Sequence, residues 1–219
     1  MKTFAVIGIG RFGQAVAKKL FSMGYEVLAV DSSTELINDI EPYVTQAVAC
    51  DAKDENVLNA LGIRNYDCVV VGVTANLSDS ILITMHLIEM GVKQVVCKAR
   101  NINHKKILEK IGAHTVIIPE YEVGKKTALN LVSNHFLDLL SLSDKYGIVD
   151  MKVPKSWIGN TIFELDIRKK YSINVIAIKN INNDNEVLIN PTPDYKFKSS
   201  DIVVVVGEMM IIQNIDNGD

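Results

Sequence analysis

Three glycines, an arginine and an aspartate carry the first legible chemistry. Gly8, Gly10 and Gly13 stand in a G-x-G-x-x-G spacing, Arg11 and Phe12 lie between the last two of them, and Asp31 follows about 18 residues after Gly13. Glycines at this spacing let a chain turn sharply, let its backbone approach a pyrophosphate and let a helix pack closely on a strand. A carboxylate at Asp31 could accept hydrogen bonds from both ribose hydroxyls. It would repel a 2′-phosphate, and Ser32, Ser33 and Thr34 offer no arginine to rescue one, so NADP is disfavoured. Arg11 is the odder residue. In a first helical turn the dipole opposes a cation by about 0.3–1 kcal/mol. A guanidinium forked onto a terminal phosphate of ADP or ATP would offset that cost. The alternative is an arginine lying over the surface beside Phe12.

The glycine spacing is a weak signal by itself, and the elements around it give it weight. Residues 4–7 form a β-prone apolar run, Ala15, Val16 and Leu20 give the next segment a helical apolar face, and 26–30 form a second strand that ends at Asp31. Strand, glycine turn, helix, strand and acid in that order match the dinucleotide-binding fingerprint. The pattern then alternates: helix 34–40, strand 45–49, helix 55–61, strand 67–73, helix 78–90, strand 94–98, helix 102–111, strand 115–118. This predicts an α/β fold, a Rossmann-like doubly wound parallel sheet over residues 1–120. The apolar run at 67–73 suits a middle strand buried on both faces.

Loops at the carboxyl ends of such strands line the ligand crevice. Asp51 and Ala52 follow the third strand, beside the expected adenine position, where Asp51 could accept an exocyclic amine or cap the next helix; Asp54 is equally placed for that cap. Thr74, Ala75 and Asn76 are small or short residues that leave room at the sheet's top edge. Lys98 and Arg100, at the end of the fifth strand, are candidate phosphate or ribose contacts, with a solvated charge pair as the alternative.

Residues 122–142 read as helical, with Val123, Ala128, Leu131, Val132, Phe136, Leu139 and Leu140 recurring at helical spacing and a bend possible at Asn134 and His135. The sheet already has enough helices for both faces, so this segment (121–146 with its linker) predicts homodimerisation. From Gly147 the character changes. Strand 148–153, a turn at Pro154, Trp157 and Gly159, helix 161–170, strand 174–178, a polar loop, strand 187–189, breaks at Pro191 and Pro193 and a closing strand 199–206 predict a small α+β domain over 147–219.

At 219 residues and 48% hydrophobic content, two domains with ample cores are expected. A net charge of −3 supplies no global attraction to nucleic acid. Cys50, Cys68 and Cys97 lie in or beside apolar runs and read as reduced thiols of a cytoplasmic protein. The chain opens on a core strand, so no signal peptide is expected. The apolar run 202–206 is too short to span a bilayer, so any membrane role would go through a partner and not through direct insertion. An NAD-dependent oxidoreductase is the alternative function. It needs a proton donor or acceptor facing the nicotinamide. His86, His104, His114 and His135 have no partner spacing, and no H-E-x-x-H, G-x-S-x-G or Cys–His metal pattern occurs. The residues favour a nucleotide-binding regulatory module over an enzyme.

The sequence GIGRFG, the strand-terminal Asp31, CDAKD after the third strand and the β-rich module from about Gly147 resemble the RCK (regulator of potassium conductance) family, in particular the soluble regulatory subunits of Ktr/Trk-type bacterial potassium uptake systems. The resemblance spans essentially the whole chain. It implies a cytoplasmic protein, peripheral to the membrane through a potassium channel subunit, whose homodimers assemble into an octameric ring. It implies competition of ATP and ADP for the N-terminal site, with Arg11 reading the γ-phosphate, Asp31 the ribose and Asp51 the adenine. It also implies a divalent or monovalent cation near the phosphates at Glu120. In the C-terminal domain it implies a cyclic di-AMP site at Ile167, Arg168, Asn174, Val175, Ile176 and Pro191, where apolar faces suit adenine and a cation suits phosphate; ordinary core with a surface arginine is the alternative.

Overall fold

The computed structural model describes residues 2–132, 136–143, 145–180 and 183–216. The chain divides into two compact units, Met1–Glu120 and Tyr121–Asp219. In the first, β1 (Thr3–Ile7), α1 (Arg11–Ser22), β2 (Glu26–Asp31), α2 (Thr34–Ile40), β3 (Gln46–Ala49), α3 (Glu55–Ala60), β4 (Cys68–Val71), α4 (Leu77–Glu89), β5 (Val95–Lys98), α5 (Ile102–Ile111) and β6 (Thr115–Ile117) alternate along the chain. The six strands form one parallel sheet in the order β3-β2-β1-β4-β5-β6. This is the Rossmann-like order, and it reverses direction between β1 and β4, where ligands bind in such folds.

The central strands are largely apolar, and β4 is buried along its whole length, because both faces of the sheet are covered there. Period two sorts their side chains: Ala5, Ile7, Leu28, Val30, Val69 and Val71 join one core, while Val6, Val27, Ala29, Cys68 and Val70 join the other. Short polar residues start the helices. The side chains of Ser33, Asp54, Asn76 and Asn101 accept the Leu36, Asn56, Ser78 and His104 backbone N–H groups, respectively. At the amino ends of the central strands β1 and β4, the Asp67 carboxylate accepts the Thr3 backbone N–H at 3.0 Å and the Lys93 ammonium at 2.7 Å.

In the second unit, α6 (Pro119–Val132, beginning just before the boundary) is followed by β7 (Phe136–Ser141), β8 (Tyr146–Lys152), α7 (Ile162–Leu165), α8 (Ile167–Tyr171), β9 (Asn174–Asn180), β10 (Asn183–Ile189), β11 (Asp201–Glu208) and α9 (Met209–Asp216). Its five strands pair antiparallel in the order β10-β9-β11-β8-β7. Trp157, Phe197, Met151, Val203 and Val205 fill its core.

Four expectations are corrected. The helix expected over 122–142 ends at Val132, and residues 136–141 are a strand, with Leu140 opposite Ile148 and Leu139 opposite Val149. That apolar run suits either period, and the hairpin partner β8 decides it: Leu142 and Ser143 both donate to the Tyr146 carbonyl and close the turn. The bend expected at Asn134 and His135 lies outside the described residues. The helix expected to begin at residue 122 begins at Pro119, which as a residue with no N–H to satisfy can open a helix. The helix expected over 161–170 is two short helices, broken at Asp166 with φ 44°. The strand expected over 199–206 runs on to Glu208, and a further helix, α9, follows.

The bonds to Lys93 and then to Thr3 hold the Asp67 carboxyl well below the usual range, at about 2. A carboxylate lowered in this way contributes stability above its unfolded pKa that is lost as pH falls through the folded one. Thermal unfolding followed from pH 5 down to pH 2 is expected to show a drop in midpoint between about pH 4 and 2 that is smaller in Asp67→Asn, whose midpoint at pH 7 is already lowered.

Candidate functional site

The Gly8–Gly13 turn is built by exclusion of side chains. Gly8 has φ +92°, and a Cβ there would lie 2.7 Å from the Val73 nitrogen. A Cβ on Gly13 would lie 2.0 Å from the Gly8 carbonyl oxygen, so only glycine lets α1 seat against β1. Gly10 differs. A Cβ there would meet nothing within 4 Å, and its φ of −69° suits any residue. It is the N-cap of α1, makes no side-chain hydrogen bond there and lines the cleft at the sheet's carboxyl end.

A cleft of about 400 Å³ opens at the carboxyl ends of β1 to β4. Gly8, Gly10, Asp31 and Ser32 line it, as do Asp51, Ala52, Thr74 and Ala75. Asp31 is fixed by the backbone: the Ile9 N–H donates to one carboxylate oxygen at 2.7 Å and the Ser33 N–H to the other at 2.9 Å. The acid therefore ties the glycine turn to the end of β2 while it faces the cleft. Asp51 accepts the Lys53 N–H at 3.0 Å and stays exposed, whereas Asp54 caps α3. Of the two readings of Asp51, the geometry leaves its carboxylate at the cleft and gives the cap to Asp54.

Other expected residues lie outside this cleft's lining. Arg11 is exposed and makes no hydrogen bond or ion pair to any described residue. Phe12 is half-buried against the core below α1, and Gly13 is buried. Lys98 is mostly buried and donates to Glu120 at 2.6 Å, with its ammonium 5.8 Å from the centre of the Phe12 ring. Lys98 thus meets Glu120 from a mostly buried position. The bond from Lys98 holds the Glu120 carboxyl below its ordinary range. Arg100 is exposed; its backbone N–H donates to Nδ1 of the buried His104, whose pKa burial lowers. Among the described residues, no three His, Cys, Asp or Glu side chains are grouped so as to hold a metal ion.

Sequence reasoning missed Leu36, Cys50, Lys53 and Asp79 as wall residues, all of which line the cleft. The signal available was position: each follows a strand end or opens the next helix. Burial and then Asp51 push the Cys50 thiol up, which disfavours its thiolate.

In the second unit, Arg168 and Asn174 are exposed, and Val175, Ile176 and Pro191 are half-buried. The Asn190 N–H donates to the Ile176 carbonyl at 2.9 Å and so brings Pro191 beside β9. Ile167 is 2% exposed and packs in the core with Trp157, so its side chain is committed to the interior.

Comparison with known proteins places these units. Residues 4–119 match the TrkA-N domain and 148–216 the TrkA-C domain. The chain is 40% identical over 215 residues to Ktr system potassium uptake protein C of Bacillus subtilis (strain 168), covering 98% of this chain and 96% of that protein. It is 39% identical over 216 residues to Ktr system potassium uptake protein A of the same organism, covering 99% and 96%. Among solved structures, the GsuK channel bound to NAD superposes with a TM-score of 0.69 at 16% identity, over 100% of this chain and 40% of that one. No helix among the described residues is long and apolar enough to cross a membrane.

The contrast between the glycines is directly measurable. Gly10→Ala is expected to keep the thermal midpoint of the parent within a degree or two and to weaken nucleotide binding, read by calorimetry. Gly13→Ala is expected to lose several degrees or to fail to fold, because backbone at 2.0 Å cannot give way.

Proposed function

This chain belongs to the RCK family, with a TrkA-N unit followed by a TrkA-C unit, and on that premise we propose that it is a nucleotide-sensing regulatory subunit of a potassium uptake system. The observation that carries the reading is the cleft at the sheet's reversal point. Asp31 and Asp51 stand at its ribose and base end, Gly10 is open at the start of α1, and Arg11 is uncommitted beside it. Adenosine occupies the cleft, and the phosphates run toward α1. Arg11 forks onto the terminal phosphate, which separates ATP from ADP and AMP.

The two nucleotides gate potassium flux by exchanging at this site. A ligand shifts a conformational equilibrium only by its unequal affinity for the two states, and the γ-phosphate supplies the inequality. A cation at Glu120 competes with Lys98 for the carboxylate and so couples phosphate charge to the end of β5. The exposed apolar residues Tyr121, Val123 and Leu131 of α6 pair two copies of the chain, and dimers close into a ring beneath a membrane channel subunit. The protein works in the cytoplasm and reaches the membrane through that partner. Cyclic di-AMP binds the second unit along Arg168, Asn174, Val175, Ile176 and Pro191, with Ile167 supporting that surface from the core.

NAD is the second reading. A Rossmann-like cleft with an acid after β2 suits its ribose, and the GsuK channel of the same fold is a protein bound to NAD. Among the described residues, no histidine or tyrosine lines the cleft, and the similar proteins are potassium uptake proteins, so NAD here would be a regulatory ligand.

Calorimetry of ATP, ADP, AMP, NADH and cyclic di-AMP on the whole protein, with mass measured alongside, tests these assignments. Arg11→Ala is expected to weaken ATP by about tenfold or more and AMP little; equal loss for both removes the phosphate-reading role. Arg168→Ala is expected to lose cyclic di-AMP and keep ATP. An unchanged cyclic di-AMP isotherm in that variant would move the site elsewhere.

A further inference from the structure

Lys53 and Asp79 both line the cleft, and neither has a part in the ligand contacts described above. Lys53 lies in the loop after β3, and Asp79 lies in the first turn of α4, which follows β4. In the order β3-β2-β1-β4, those two strands are three positions apart. At about 4.8 Å per neighbouring pair, that is roughly 14 Å across the sheet. Yet the Lys53 ammonium stands 3.8 Å from the Asp79 carboxylate, and it is also 3.5 Å from that of Asp51. The ends of the two intervening strands, Ile7 of β1 with Gly8 after it and Asp31 of β2, line the same cleft. The lysine therefore joins the segment that follows β3 to the one that follows β4, and both segments line the cleft.

We propose that the Lys53–Asp79 pair is a strap across the mouth of the cleft, which the adenosine part of a nucleotide must open to enter and to leave. The proposal rests on the nucleotide reading of the cleft and adds a gate to it. The chemistry suits a gate. Both ends are partly exposed, so water screens the pair and its opening is cheap. A flexible four-carbon stem lets the ammonium swing away while Asp51 keeps hold of it. Such a strap sets how fast ligands exchange more than how tightly they bind, and exchange is what a sensor of two competing nucleotides depends on.

The test is surface plasmon resonance with the whole protein immobilised and unmodified adenosine and ATP as analytes. Lys53→Ala and Asp79→Asn are both expected to speed association and dissociation of adenosine by roughly two- to fivefold, with Kd changing less than either rate. The double variant is expected to be no faster than the single ones. The two substitutions change the charge of the cleft in opposite senses, so a purely electrostatic effect would move ATP association in opposite directions. That result, or unchanged rates in either variant, overturns the strap. Wild-type protein that binds neither adenosine nor ATP overturns the nucleotide reading and the strap together, whereas binding with unaltered rates removes the strap alone.

Discussion

The crowding around one carbonyl, that of Gly8, is the constraint on which the first unit depends. A Cβ on Gly13 would come within 2.0 Å of its oxygen and one on Gly72 within 2.7 Å. Three segments thus meet at a point where there is room only for backbone: the turn after β1, the first turn of α1 and the end of β4. The meeting places the start of α1 over the point where the strand order reverses. Asp31 completes the arrangement from β2 by accepting the Ile9 N–H. Turn, helix start and acid are one mechanical assembly, so a ligand that touches the acid also touches the group that shapes the turn.

Charge is distributed unevenly over this assembly. Asp31, Asp51 and Asp79 face the cleft with Lys53 among them, while Arg11 stands uncommitted at the start of α1 and Lys98 is turned onto Glu120 near Phe12. Acids at one end suit hydroxyls and amines as donors; a helix start with a free guanidinium suits phosphate oxygens. The same polarity explains why the lysines are paired. Lys53 stands between the carboxylates of Asp51 and Asp79, and Lys98 meets Glu120; each pair has at least one partly exposed partner, so water screens it.

The second unit is held by different means. Trp157 packs with Phe197 at 5.5 Å and with Tyr171 at 5.9 Å between ring centres. The buried Asp201 accepts from the Tyr195 hydroxyl at 2.9 Å and the Lys198 N–H at 2.8 Å, and this fastens the loop before β11. Burial, with Asp201 beside it, pushes the Tyr195 phenol up to about 12, so it remains a donor at neutral pH. An aromatic core under an antiparallel sheet leaves short helices at the rim, and that is where Arg168 is presented.

The sequence by itself determined the parallel sheet, its helices and the acid after β2, because those features are local: an apolar strand, a glycine turn and a capped helix each advertise themselves within a dozen residues. It also determined the family, since GIGRFG, Asp31 and CDAKD are contiguous or regularly spaced. Only the tertiary structure decided the rest. Phe136–Ser141 became a strand because β8 was there to pair with it. Lys98 became the partner of Glu120, and Lys53 the bridge to Asp79, because segments far apart in the chain converge near the carboxyl ends of the strands. Pairings of this kind depend on which strand ends are neighbours in space, and no local period in the chain records that.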